Sequence, residues 1–462
     1  MWPDRRLIDL FRTEFPIVLA PMAGAMDAEL VIAAAQGGAL GSLPCAMLSA
    51  EKAREQVNII RQRVSAPVNM NFFCHKALAA DPAREAARKR RLAPYYKEYG
   101  LDPAAPINAA NRAPFDGAMC ELVEELKPEI VSFHFGLPEA ALLDRVRAAG
   151  CKVISSATTV KEAIWLEERG VDAVIAQGAE AGGHRGMFLT ENISEQPGTF
   201  ALVPQVVDAV RVPVIAAGGI ADGRGIAAAF ALGAAGVQIG TAYLRCPESK
   251  VIAPVRTALA QASDESTVIT NVMTGRPARG VANRVMREVG PISSDAPAFP
   301  HAVTGLAPLR AAAEKQAKVD FTNLWAGQAV RLGREMPAAE LTRALAGAAL
   351  ARLSQLAGQS WLQRKTTLCY TAAELCRQRH PCLQGPLYNV SRCLNRSPDR
   401  AFGADCGRGS RGSASRGRTE RDPGLRRAIV GSRYRGRRTD DLGDTDGNEE
   451  TGRCRQRWRH SR

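Results

Sequence analysis

Residues 152–186 read KVISSATTVKEAIWLEERGVDAVIAQGAEAGGHRG, and their layout decides the fold. A short run of apolar and small residues, KVISSAT, is followed by VKEAIWLEERG. The apolar positions of that second segment recur at helical spacing, and it closes on the glycine that favours a helix C-cap. Another short apolar run, AVIAQG (173–178), comes next. Neither run alternates apolar with polar residues, so both read as strands buried on two faces, as in a parallel sheet. The unit is strand, helix, strand. It ends in QGAEAGGHRG (177–186), where four glycines, one glutamate and one histidine share ten residues. Either that segment is a surface turn or a ligand lies against its main chain.

The same rhythm extends outward from residue 17 to about 262. Further strand candidates are IVLAPMAG (17–24), ALGSL (39–43), PVNMNFF (67–73), EIVSFHFG (129–136), PVIAAGG (213–219) and GVQIGTAYL (236–244), which brings the total to eight. Helix-period segments such as EAALLDRVRAAG lie between them. Eight such units predict a (β/α)8 TIM barrel rather than a Rossmann sheet. No G-x-G-x-x-G opens a helix in a Rossmann-type unit, which argues against a dinucleotide held in that way. Two insertions interrupt the rhythm: 77–113 after the third strand, and 245–345, read as added helices, after the eighth. Additions at strand C-termini shape a barrel's mouth. The last barrel helix is expected in LTRALAGAALARLSQLAG, ending near Gly358.

From residue 359 the sequence changes character. The whole chain of 462 residues carries a net charge of +14, but 359–462 holds 23 Lys+Arg against 11 Asp+Glu, which is +12 of it. The first 358 residues are therefore close to neutral, at +2. The tail has a single lysine among its basic residues and no hydrophobic periodicity. It is expected to be disordered, or to be translated in a shifted frame. An RNA-binding Arg/Gly segment is disfavoured because aromatic residues for base stacking are sparse, so nucleic acid is not the expected partner. The chain thus divides into a barrel domain, 1–358, and a tail, 359–462.

Five scattered cysteines in the first 358 residues point to reduced thiols in a cytoplasmic protein. No C-x-x-C or H-x-x-x-H pair suggests zinc, so no metal is expected. The N-terminus lacks an apolar signal region, and no run approaches the roughly 18–20 apolar residues of a membrane span. The expectation is a protein that is neither exported nor in the membrane.

Three glycine-rich turns follow neighbouring strand candidates: QGAEAGGHRG, AAGGIADGRG (216–225) and QIGTAYL (238–244). Side by side on the C-terminal face of a barrel, they predict a phosphate-bearing ligand docked on main-chain N–H groups. Pro21 and Met22 end the first strand where a planar ring could lie, although a methionine there is more often core. Asn69 and Asn71 are two apart on a strand and share a face, where buried amides need partners. His184 follows the glycines of the sixth turn directly, which places it at the mouth. His75, His134 and His301 are lesser candidates, and Glu180 is read as structural, bonded to main chain or to Arg185.

The combination LAPMAG, PVNMNFFCH, VSFHFG, AQGAEAGGHRG, VIAAGGIADG, QIGTAYLRCPES, TGRPARG and LWAGQ resembles, in order over about residues 5–355, the nitronate monooxygenases, formerly 2-nitropropane dioxygenases, and most of all their first class. That resemblance implies an FMN-dependent barrel. FMN would be held by Ala20, Pro21, Met22, Asn71, Gln177, Gly182, Gly183, Gly218, Gly219, Gln238, Ile239, Gly240 and Thr241. His184 would be catalytic at the reactive edge of the flavin, with His134 and His75 in the substrate pocket. It further implies a small alkyl nitronate, and its parent nitroalkane, as substrate with O2, giving a carbonyl compound and nitrite. A homodimer is left open. The sequence departs from the first class in having no tyrosine between Leu244 and Cys369, near the expected pocket entrance. The alternative function is an FMN-dependent NAD(P)H reductase of the enoyl-thioester or quinone type.

Overall fold

In the computed structural model, residues 1–76, 78–103 and 112–379 are described, with main chain only over 359–379. They fall in the unit Met1–Tyr388, and the other unit, Asn389–Arg462, lies outside the described residues. Strands β1 (Ile17–Leu19), β2 (Gly41–Pro44), β3 (Val68–Phe73), β4 (Ile130–His134), β5 (Lys152–Ala157) and β6 (Ala173–Gln177) follow the expected runs. A two-residue strand, β7 (Gly183–His184), precedes β8 (Val214–Ala217) and β9 (Gly236–Ile239). The parallel order is β1-β9-β8-β6-β5-β4-β3-β2. The sheet closes on itself where Leu19 N and Leu40 N donate to Leu40 O and Ile17 O, both at 2.9 Å. All eight expected strands are present in one nearly closed TIM barrel ringed by helices.

The barrel interior changes character along its axis because side chains two apart share a face. Low in the barrel, Val18, Leu40, Ile130, Ile154, Ile175 and Ile215 form one apolar cluster with Leu7 and Phe11 of the helix Arg6–Phe11. Two and four residues further along the same faces stand Ser132 and His134 on β4, and Gln177 on β6. On β3, Asn69 and Asn71 do share the inward face, where their amide nitrogens donate to Ser42 Oγ and Ser132 Oγ, each at 2.9 Å. The closed end of the barrel is thus mostly apolar, with Asn69 and Ser42 in register with Ile130, and most of the polar residues collect at the strand C-termini.

The insertions pack on each other. Leu92, Tyr95 and Tyr96 of the helix Pro82–Glu98 meet Leu306 and Leu309 of the helix Ala302–Lys315 in a second apolar cluster. Residues 245–345 do not only add helices. They also contain β10 (Thr267–Thr270) and β11 (Ala278–Val281), an antiparallel pair to which β7 adds as a third strand. These strands are too short to show a period, and their pairing partners are distant in sequence.

The helix Ala338–Arg379 buries Leu341, Leu345, Ala346 and Ala349 in the core, but it does not stop near Gly358. One glycine costs a helix only about 1 kcal/mol relative to alanine, and 359–379 contains neither glycine nor proline to end it. Residues 77, 104–111 and 380–462 lie outside the described residues, and with them most of the expected disordered or frame-shifted tail.

Candidate active site

Because β6, β8, β9 and β1 are neighbours, the turns that follow them stand side by side on one rim. Gly218 (φ 117°) and Gly219 (φ 69°) adopt left-handed backbone that other residues take only with strain. The N–H groups of Gly182, Gly218, Gly219 and Gly240 donate to no main-chain or side-chain acceptor among the described residues. The amide oxygen of Gln238 is buried without a partner as well. Unsatisfied donors and a buried orphan acceptor on one rim are what a ligand's phosphate and ring edge would satisfy.

The other residues expected on this rim divide by what they touch. A side chain at Gly182 would put its Cβ 2.6 Å from Gly327 N, so that glycine is required by packing within the protein. At Gly183 (φ 74°) a Cβ would meet nothing within 4 Å, so its open side faces the mouth. A Cβ on Gly240 would meet Ala20 Cβ at 3.2 Å and Met22 Sδ at 3.4 Å, which brings the ends of β1 and β9 together beside Pro21. Ile239 is buried and its oxygen accepts from Ala20 N at 2.9 Å. Thr241 Oγ1 accepts from Gly327 N at 2.9 Å. Asn71 gives its amide nitrogen to Ser132, and its oxygen has no partner among the described residues.

Gln177 acts on the loop itself. Its Nε2 donates to His184 O at 3.0 Å and its Oε1 accepts from Gly186 N at 2.7 Å. His134 adds a second hold, with Nε2 3.2 Å from His184 O and Nδ1 3.1 Å from Ser156 Oγ. A carbonyl can only accept, so the His134 proton sits on Nε2 and Nδ1 accepts from the serine. Glu180 does not pair with Arg185: its carboxylate accepts from Thr199 N and Thr199 Oγ1, at 2.7 and 2.8 Å, and so caps the helix Thr199–Ala209. The helix N-terminus offers unsatisfied donors and a positive dipole end that Arg185 cannot match.

His184 is half-buried in a box of aromatic rings. Phe299 and Trp325 lie 5.4 and 5.5 Å from it, Phe135 and Phe73 at 6.0 and 6.1 Å, centroid to centroid. Its Nε2 is 3.0 Å from Thr274 Oγ1, and that hydroxyl is 3.3 Å from Arg276 O. The chain Nε2–H to Thr274 Oγ1, and its hydroxyl to Arg276 O, satisfies all three groups and leaves Nδ1 with the lone pair. Burial, together with Arg112, His134, Arg276 and Arg185, holds the His184 pKa well below 6.5. Burial likewise lowers His134 to about 3 and His75 to about 4. All three imidazoles are therefore neutral at neutral pH.

Cations flank this box. Arg276 lies 4.0 Å over the Phe135 ring, and Arg112, nine-tenths buried, lies 6.0 Å over Phe299. His75 packs 4.8 Å from Phe299 and so belongs to the same chamber, whereas His301 is turned outward, bonded to Leu78 O at 2.9 Å. A surface groove of about 1040 Å³ between the helices Gly117–Leu126 and Ala140–Ala148 shares His75 with the chamber but none of the three glycine-rich turns. Sequence reasoning missed Thr274, Phe135, Phe299, Trp325, Arg112 and Arg276 as site residues. TGRPARG, LWAGQ and VSFHFG contain Thr274, Arg276, Trp325 and Phe135, but no part was assigned to those four residues. Among the described residues no cluster of three or more His, Cys, Asp or Glu is placed to hold a metal, and no helix is long and apolar enough to cross a membrane.

A family model described as nitronate monooxygenase matches residues 4–347. A nitronate monooxygenase of Paraburkholderia phytofirmans is 41% identical over 343 residues, covering 74% of this chain and 94% of that relative. The crystal structure of a nitroalkane oxidase from Streptomyces ansochromogenes superposes with a TM-score of 0.70 at 36% identity, covering 76% of this chain and 99% of that one. FabK from Thermotoga maritima superposes at 0.57 and 26% identity, over 78% of this chain and 100% of that one.

Proposed function

Since the chain belongs to the nitronate monooxygenase family and is an enzyme of that kind acting on a small molecule, we propose that it uses FMN and O2 to convert alkyl nitronates, and their parent nitroalkanes, to a carbonyl compound and nitrite. The observation that carries this reading is the single rim on which His184, its aromatic box and the free N–H groups of the glycine turns meet. The residues fit the cofactor: Gly182, Gly218, Gly219 and Gly240 offer N–H donors to a phosphate, and Asn71 and Gln238 offer amide oxygens to a ring N–H. Bound there, FMN would supply acceptance of electrons from the substrate carbon and their passage to O2.

What the chain's own residues contribute is binding, orientation and proton handling. Arg112 and Arg276 make the chamber positive, which favours an anionic nitronate over neutral molecules of the same shape. The rings of Phe73, Phe135, Phe299 and Trp325 exclude water and strengthen every polar contact inside. Gln177 and His134 hold the His184 main-chain oxygen and Thr274 holds its ring, so the imidazole is oriented before substrate arrives. With Nδ1 unprotonated, it takes the carbon proton of a neutral nitroalkane, and the imidazolium so formed can donate to the nitronate oxygen; toward a nitronate already formed the neutral ring acts by shape alone. We further read the compartment as cytoplasmic, supported by five free cysteines in the described residues.

The test is a nitrite assay with propyl-2-nitronate under air, without any nicotinamide, set beside NADPH-dependent reduction of a quinone and of an enoyl thioester. Nitrite released with O2 uptake is the expected outcome. Reduction of either acceptor with no nitrite would replace this reading by the reductase alternative.

A further inference from the structure

Arg185 is fully buried, and every hydrogen bond it makes goes to main-chain oxygen. Its Nη1 donates to Gly178 O and Ala179 O at 3.1 and 3.3 Å. Its Nη2 donates to Ala181 O, to Gly182 O at 3.4 Å and to Gly183 O at 2.9 Å. The two remaining carbonyls are also occupied: Glu180 O accepts from Gln328 N at 3.0 Å, and His184 O from Gln177 and His134. Every carbonyl from Gly178 to His184 is therefore turned to an internal donor. In a trans peptide the C=O of one residue and the N–H of the next point in opposite directions. Drawing Ala181 O onto the guanidinium thus turns the Gly182 N–H away from it, and that N–H has no acceptor among the described residues.

We propose that Arg185 is the positioning residue of the ligand's phosphate site, a post that holds the carbonyls of the 178–183 loop inward so that the Gly182 N–H is turned outward to meet an anion. This rests on the flavin reading above. A planar fork whose two Nη atoms reach five carbonyls of one loop, with Ala181 N and Arg279 Nε adding donors to Gly178 O and Ala179 O, also explains why arginine stands here. A lysine would bring a point charge with three donors and could not span them. Burial lowers its pKa to about 9, so the guanidinium still carries its charge at neutral pH and adds a positive field beneath the loop.

The experiment uses the full chain, stripped of flavin, as wild type, Arg185→Lys and Arg185→Ala. FMN affinity is read by quenching of flavin fluorescence, and amide hydrogen exchange is followed over 178–186. Wild type should bind FMN, and both variants should bind it about 10- to 100-fold more weakly, the equivalent of one hydrogen bond to a charged group. Exchange should accelerate in 178–186 and stay unchanged in β3 and β4. Methylguanidinium should fill the space left in Arg185→Ala and restore FMN affinity, where equal concentrations of sodium chloride or methylammonium do not. Wild-type affinity in both variants, with wild type itself binding FMN, overturns the role of Arg185 and leaves the flavin reading intact. Faster exchange across the whole barrel, without rescue by methylguanidinium, also overturns it, since Arg185 would then hold the fold and not the loop. A wild-type protein that takes up no FMN overturns the flavin reading and this inference together.

Discussion

The ring of His134 reaches the main-chain oxygen of His184 with its Nε2, 3.2 Å away, although the two residues lie 50 apart in sequence. That bond makes the end of β4 a support for the loop that carries His184, and it requires a proton on His134 Nε2. Protonating Nδ1 as well would reverse its bond with Ser156 Oγ and place a charge beside Arg276 and Arg185.

A pH dependence of stability follows. Burial lowers His134 from 6.5 to about 3 and His75 to about 4, and lowers His184 too. In the unfolded chain all three take up protons below pH 6.5, while in the folded protein they do not, so the unfolded state binds more protons in that window. Stability is complete above pH 6.5 and falls as the pH drops toward 4 and 3. The urea midpoint should fall across this window more steeply in wild type than in His134→Gln. A variant with the same slope would show that His134 is not held neutral by its surroundings.

Two glycines of the rim should respond differently to alanine. At Gly218 the φ of 117° is compounded by a Cβ that would lie 2.8 Å from Thr199 Oγ1, so Gly218→Ala should lose roughly 1–3 kcal/mol of stability. Gly183→Ala should cost only about 1 kcal/mol, for its φ of 74°, because nothing lies within 4 Å of the new methyl. Its effect should instead be weaker FMN binding, as the methyl enters the mouth. Chemical denaturation and flavin titration of both variants separate the two outcomes, and unchanged flavin affinity in Gly183→Ala would remove that residue from the cofactor site.

Much of this fold was legible in the sequence because barrel strands are buried on both faces. VIAA in β8 and AVIAQ in β6 can hardly be anything but interior. β7, β10 and β11 were not legible, since a strand of two residues exists only through its partner, and the partner of His184 is Ala278. The same long range hides Phe299, Trp325 and Thr274, which reach His184 from an insertion that looked purely helical. Conversely, the glycines were visible but ambiguous. Gly182 is small to admit Gly327, and Gly183 is bare toward open space, a difference that only three-dimensional packing reveals.

We divide the chain into a barrel and a tail near residue 358, supported by the last core side chains of the final helix, which lie at Leu345, Ala346 and Ala349. A chain ending at Gly358 should fold and retain flavin with an unchanged thermal midpoint. An insoluble or colourless truncated protein would place stabilising contacts beyond that point.

His184→Asn should keep FMN but lose nearly all turnover of a neutral nitroalkane, because the base at Nδ1 is gone. With a preformed nitronate, which needs no base, the loss should be smaller, since an Nδ1 without a proton has no hydrogen to donate to an anionic nitro group. Steady-state rates for 2-nitropropane and its nitronate test this. Equal losses would leave His184 a positioning role only, and no loss would remove it from the mechanism.

The most direct test of FMN-dependent nitronate oxidation is anaerobic mixing. The purified, flavin-loaded protein is combined with propyl-2-nitronate in one syringe experiment and with NADPH in another, and the visible flavin absorbance is followed before air is admitted. The account predicts that the nitronate changes the flavin spectrum within one turnover, that NADPH does not, and that air restores the spectrum with release of nitrite. A flavin reduced by NADPH and untouched by the nitronate would contradict it.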